Sequence, residues 1–222
     1  MLFWDLDRFG YDPLGFFLLL IVRVVAVAVA ISVHEASHAL AADRQGDPTP
    51  RSLGRLTLNP LAHLDPLGTL LLFLVGFGWG KPVPVNLAHF KGRPLAGMAR
   101  VGFAGPLAGL IAAGVVSIPL RFLDLPVGND FFVTLFGTLF AFNIILSVFN
   151  LIPIPPLDGF HVLLGLVPPR TALSLTRYEN YGPPLLILLI VLDNFAGTGF
   201  LWRVLGPAVN FFERLFLGGD IF

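Results

Sequence analysis

Between about residue 15 and about residue 42 the sequence is almost wholly apolar. A segment of that length matches the hydrocarbon core of a bilayer, about 30 Å at about 1.5 Å per helical residue. Only a helix satisfies all its own backbone groups in such a setting, so the run predicts a membrane-spanning helix. Long apolar runs recur at about 95 to 122 and about 131 to 152, with a broken apolar region from 183 to 217. A shorter fifth, PLGTLLLFLVGFGWG (66 to 80), has 15 residues. That is short for a full crossing and suits a re-entrant hairpin. The predicted fold class is therefore an all-α polytopic membrane protein with about four to six membrane segments. Composition agrees: 13% of residues are charged, where a soluble domain carries roughly 25%.

A formal net charge of +0 gives no electrostatic case for a nucleic-acid partner. The absence of cysteine excludes disulfides, thiolate metal ligands and a cysteine nucleophile. Any metal must be held by His, Asp or Glu. Asp5 and Asp7 stand where a signal peptide would be basic, so the first apolar helix is expected to be retained. No internal repeat and no stretch long enough for a separate soluble domain interrupts the chain. The expectation is one membrane domain over 1 to 222, with its core at about 15 to 165 and further helices at about 183 to 217.

Basic residues orient the segments. If 66 to 80 dips in and returns, Arg44, Arg51, Arg55, Lys81, Lys91, Arg93 and Arg100 share one side, leaving mainly Arg8 and Arg121 on the other. The positive-inside bias then makes the first side cytoplasmic and runs the first helix inward. Arg23 falls near its outer end, where it can snorkel. The segment HEASHA (His34 to Ala39) falls one to two turns from its inner end, and the helix 131 to 152 ends at a similar depth. After Leu151, IPIPPLDGFHVLLGLVPP forbids a continuous helix. The tail from Phe200 to Leu217 sets Leu201, Leu205, Val209, Phe212 and Phe216 at helical spacing against Arg203, Asn210, Glu213 and Arg214, a pattern suited to a membrane surface.

His34, Glu35 and His38 form HExxH. On a helix, positions i and i+4 share a face, so both imidazoles reach one zinc ion while Glu35 is placed to take a proton from water. Ionisable groups inside a membrane helix are costly and usually functional. A catalytic zinc takes three protein ligands and keeps one position open. The candidates for the third are Asp158, His161, His63, Asp65 and His89. Asp158 sits at the break after the membrane helix, where it serves equally well as a helix N-cap. Asn143, Ser147 and Asn150 make one polar stripe on an otherwise apolar helix; interhelical hydrogen bonding accounts for it as well as function does. His63 and Asp65 fit a turn fixed by Pro60 and Pro66, and His89 lies in a polar loop.

HEASHA, NLIPIPPLDG (Asn150 to Gly159), LNPLAHLDPLGT (Leu58 to Thr69) and FGWGKPVPVN (Phe77 to Asn86), in that combination, resemble the site-2 protease family of intramembrane zinc metalloproteases. The likeness is to small members without a PDZ or CBS domain and covers most of residues 30 to 160. It implies one Zn2+ per chain held by His34, His38 and Asp158, with Glu35 as general base and Asn150 orienting the substrate or stabilising the oxyanion. It implies hydrolysis of peptide bonds within or near transmembrane helices of protein substrates, in the lipid bilayer. The expected setting is a prokaryotic cytoplasmic membrane, with the active site nearer the cytoplasmic face. It also implies a short membrane-surface strand beside the site, at Val83 to Asn86, to which an unwound substrate adds. Gly105 and Gly109 in GPLAGL have the spacing of close helix packing. The competing function is a non-catalytic polytopic protein that binds zinc, as a metal carrier or a helix-binding scaffold.

Overall fold

The structure, a computed structural model, describes residues 6–75, 78–122 and 130–218. Its helices are α1 (Leu6–Tyr11), α2 (Pro13–Gln45), α3 (Thr49–Ser52), α4 (Pro66–Val75), α5 (Pro94–Phe122), α6 (Asp130–Asn150), α7 (Asp158–Leu166), α8 (Pro169–Thr176), α9 (Gly182–Ala196) and α10 (Phe200–Leu217). Among the described residues α2, α5 and α6 are long and apolar enough to cross a membrane. They are the spans expected at 15 to 42, 95 to 122 and 131 to 152.

Local signals set the limits of α2. Asp12 caps its start by accepting from the Gly15 N–H at 2.9 Å, with Pro13 in the first turn, and Gly46 ends it in the left-handed region at φ 105°. Its 33 residues rise about 50 Å, so the helix extends past the about 30 Å hydrocarbon core.

The packing is that of a membrane protein, with small residues inside and large apolar ones outside. On α5 the buried side carries Gly102, Gly105, Pro106, Gly109, Ala113 and Ser117. The exposed side carries Phe103, Leu107, Ile111, Val115, Ile118 and Phe122. A continuous apolar stripe of that size is unstable against water and at home against lipid tails. α5 packs on α2, α6 and α7, and α2 also packs directly on α6, so the N-terminal and C-terminal halves share one bundle.

α4 has ten residues, about 15 Å of rise, half the depth of a bilayer core. The segment leaves and returns at one place: Leu64 and Gly80 form an antiparallel bridge, and the Lys81 N–H donates to the His63 carbonyl at 2.6 Å. Residues 76 and 77, at its tip, lie outside the described residues. This pairing is that of a re-entrant hairpin.

No strand occurs among the described residues. Pro82 and Pro84 lack the N–H groups a ladder needs, so Val83 to Val85 makes no backbone hydrogen bond and the expected strand at Val83 to Asn86 does not form. The tail departs from expectation as well. The α10 apolar stripe packs into α5 and α6, with Leu205 and Val209 in one cluster with Ala113, Phe140, Ile144 and Val148. Glu213, expected on a polar face, is 2% exposed. Helical periodicity reports which residues share a face and not which neighbour covers it.

Candidate active site

His34 and His38 stand one turn apart on the buried side of α2, with ring centroids 4.6 Å from each other. Asp158 reaches them from the first turn of α7. The turn before it is compact: a β-carbon on Gly159 would collide with the carbonyls of Leu151 and Ile152, so only glycine lets the chain fold back there. Leu157 takes the capping position of α7 and Asp158 begins the helix, so the aspartate is not the N-cap. Its Oδ2 lies 2.9 Å from His34 Nε2 and 3.1 Å from His38 Nε2.

One nitrogen of each histidine and a carboxylate oxygen of Asp158 all lie within 4.8 Å of one another. His38 Nδ1 donates to the Val101 carbonyl of α5 at 2.7 Å. In the neutral ring that bond leaves Nε2 as a bare lone pair facing a carboxylate oxygen. Two acceptors in contact repel unless a cation lies between them or the ring takes a second proton. A histidine whose far nitrogen is fixed on a carbonyl is also the usual arrangement of a metal ligand. His34 Nδ1 is buried without a partner, which leaves Nε2 as that ring's engaged atom. Space is reserved as well: a β-carbon on Gly105 would run into His38 Nε2 and come within 2.9 Å of His34 Cε1. Two imidazoles, one carboxylate and a gap enforced by glycine fit a divalent ion of the zinc type.

Glu35 is half-buried and faces the hairpin. A β-carbon on Gly80 would sit 3.6 Å from its Oε1, 3.1 Å from Ile31 Cγ2 and 3.2 Å from the His63 carbonyl. The return of the hairpin is thus the wall beside Glu35.

The other sequence candidates fall elsewhere. His161 is on α7 with its Cβ against Gly102, outside the ligand cluster. His63 is fully buried and its Nε2 donates to the Thr57 carbonyl at 2.8 Å. The Asp65 carboxylate accepts from the Gly68 N–H at 2.8 Å, at the start of α4. Asn150 Nδ2 donates to Leu146 O at 2.9 Å, within its own helix. Asn143 and Ser147 likewise bond carbonyls of α6 and not a neighbouring helix.

Asp47 is absent from the sequence expectations. It is fully buried just past the end of α2 and accepts from Thr49, Asn86 and His89. Burial pushes its carboxyl up, but these donors outweigh that and hold it at about 2. His89 is therefore tied to Asp47, although its side chain stays 47% exposed. A lone Asp after a helix-ending Gly looks like any turn residue, and its partners Asn86 and His89 lie 39 and 42 positions away.

This fold and site define an integral membrane protein with a polar, metal-fitting cluster between its helices. The family model described as Peptidase family M50 matches residues 126–192. A Bacillus subtilis protein provisionally named zinc metalloprotease YwhC is 37% identical over 220 residues, 95% of this chain and 96% of its own length. Rip2 of Mycobacterium tuberculosis, also provisionally named a zinc metalloprotease, is 29% identical over 194 residues, 85% of this chain and 74% of its own. No solved structure matches. The chain belongs to peptidase family M50, the site-2 proteases, and is a membrane-embedded metalloprotease.

Proposed function

We propose that this chain hydrolyses peptide bonds within or beside membrane-spanning helices of protein substrates. In this reading His34, His38 and Asp158 hold one zinc ion and Glu35 is the general base. The observation that carries it is the meeting of both HExxH imidazoles with a single Asp158 oxygen from a distant part of the chain. A zinc ion at such a donor set acidifies water and polarises a carbonyl. Glu35 takes the proton from the attacking water and delivers it to the leaving amine, as a carboxylate in hydrogen-bond reach of both can. The Val101 carbonyl keeps the His38 ring from turning as charge develops. Asn150 would assist the oxyanion by exchanging its bond to Leu146 O for one to the substrate.

A helical substrate hides its carbonyls in its own hydrogen bonds and must be unwound first. The segment from Pro82 to Asn86 supports the reading that the unwound strand is held there. From Pro82 to Val85 its backbone makes no backbone hydrogen bond among the described residues, and Gly80, just before it, lies beside Glu35. A hairpin closed in this way would keep Arg44, Arg51, Arg55, Lys81, Lys91, Arg93 and Arg100 on one side, which supports a site nearer the cytoplasmic face of a prokaryotic cytoplasmic membrane. A metal carrier would need metal-ligating groups along the whole depth, whereas the metal-fitting cluster found among the described residues lies towards one end of α2.

The test is zinc per chain and cleavage of a model protein with one membrane helix. Wild type is expected to hold one zinc and to cleave. Asp158→Ala is expected to lose both. Glu35→Gln is expected to keep zinc and lose turnover. Equal zinc in wild type and Asp158→Ala would remove Asp158 from the ligand set.

A further inference from the structure

We propose that Asp47 is a positioning residue: it fixes the Asn86 end of the extended segment to the end of the helix that carries His34, Glu35 and His38. The proposal rests on the reading above that this segment holds the substrate. Neither Asp47 nor its partners touch the reacting groups.

The geometry is that of a strap tied at both ends. At one end, Lys81 N–H donates to the His63 carbonyl at 2.6 Å, Gly80 pairs with Leu64, and Arg55 Nη1 donates to the carbonyls of Ala62 and, at 3.5 Å, Lys81. At the other end, Asp47 Oδ2 accepts from the Asn86 N–H at 2.7 Å. Its Oδ1 accepts from the Thr49 N–H at 3.0 Å, the Thr49 hydroxyl at 2.5 Å and His89 Nδ1 at 3.1 Å. Between the ties the chain is stiff. Pro82 and Pro84 fix their own φ, and each pushes the residue before it into extended conformations. A stiff strap held at two points has a set height above Glu35, so a substrate strand laid on it has a set register.

Asp47 suits this task better than a neutral side chain. All of its contacts are donors, and a buried carboxylate accepts on both oxygens. It also follows directly on Gly46, whose φ of 105° turns the chain at the very end of α2. Lys91 N–H donates to the Gln45 carbonyl at 2.8 Å, and Val85 and Phe90 pack on Ala42 and Val101, so the return path lies against the same helix end. Among these, only the Asp47 bond grips the backbone of the strap itself at Asn86.

The chain has no cysteine, so paired spin labels can be placed without background. Labels at Leu40→Cys, on the exposed side of α2, and Val83→Cys, on the strap, report its position in the full-length protein. Wild type is expected to give one narrow distance distribution. Asp47→Ala should at least double its width while zinc per chain stays unchanged. On a single-helix membrane protein that wild type cleaves and Glu35→Gln does not, Asp47→Ala should raise KM about tenfold, the loss of one buried charged hydrogen bond, and change kcat far less. Asp47→Asn, which turns an amide N–H toward donors, should fall between. His89→Ala removes one tie without emptying the buried site and keeps the test open if Asp47→Ala does not fold. An unbroadened distribution, or broadening with unchanged KM, overturns the proposal. So does loss of zinc in step with the broadening, which would make Asp47 a support of the whole fold. Failure of wild type to cleave would show separately, in the comparison with Glu35→Gln, and would tell against the protease reading.

Discussion

Gly105 on α5 lies against the imidazole of His38 so closely that a single β-carbon would overlap Nε2. The helix that holds His38 by the Val101 carbonyl therefore also leaves room for whatever that ring binds. Gly105→Ala is expected to lower zinc per chain by more than half while the membrane fold persists, read by elemental analysis and circular dichroism. Full zinc in that variant would mean that the ligand atoms face away from α5.

Four positions along, Gly109 meets α6 instead. A β-carbon there would strike Ser147 Oγ and come within 3.3 Å of the Asn143 carbonyl. Gly109→Ala should destabilise the bundle by about 1–3 kcal/mol, as overpacking does. Adding Ser147→Ala removes the struck atom and leaves a Cβ at an ordinary 3.6 Å. The pair should recover most of the loss in thermal unfolding in detergent, and no recovery would place the clash elsewhere.

The bridge between Leu64 and Gly80 brings both ends of the hairpin to one place, and the proposed topology sets them on one side of the membrane. Arg51→Cys and Lys91→Cys should then react with an impermeant thiol reagent from the same face, and Phe122→Cys from the opposite one. Labelling of Arg51→Cys and Lys91→Cys from different faces would mean that 66 to 80 crosses fully.

Asp47 links the strap to pH. Its carboxyl is held at about 2, below the ordinary value of about 3.9. A carboxyl depressed by folding contributes stability that is complete above its unfolded value and is lost as pH falls through the folded one. The distance distribution between labels at 40 and 83 should stay narrow from pH 7 to about pH 4 and broaden only as pH approaches 2. Broadening already at pH 6 would mean that the Asp47 carboxylate is not what holds the strap.

What the sequence disclosed followed from covalent spacing. HExxH fixes two imidazoles by helix geometry alone, and apolar runs fix where α2, α5 and α6 begin and end. The meeting of Asp158 with those imidazoles was approachable because the LDG break and HEASHA lie at matching depths. Asp47 left no such trace, since its value comes from Asn86 and His89, which turns of unknown shape bring to it. Glu213 was misplaced for a related reason: the stripe on α10 is real, but α5 and α6 bury more of its circumference than the stripe alone suggests. Gly105 and Gly109 read as one packing motif, yet they serve different neighbours, the imidazoles of α2 and a serine of α6.

Asp158 lies 124 positions from His34 and 120 from His38 in the chain. A polypeptide still emerging from the ribosome holds HEASHA, and even α5, long before residue 158 is made. In the proposed ligand set such an unfinished chain has two donors and no third, so the capacity to hydrolyse arrives only when most of the protein is already in the bilayer.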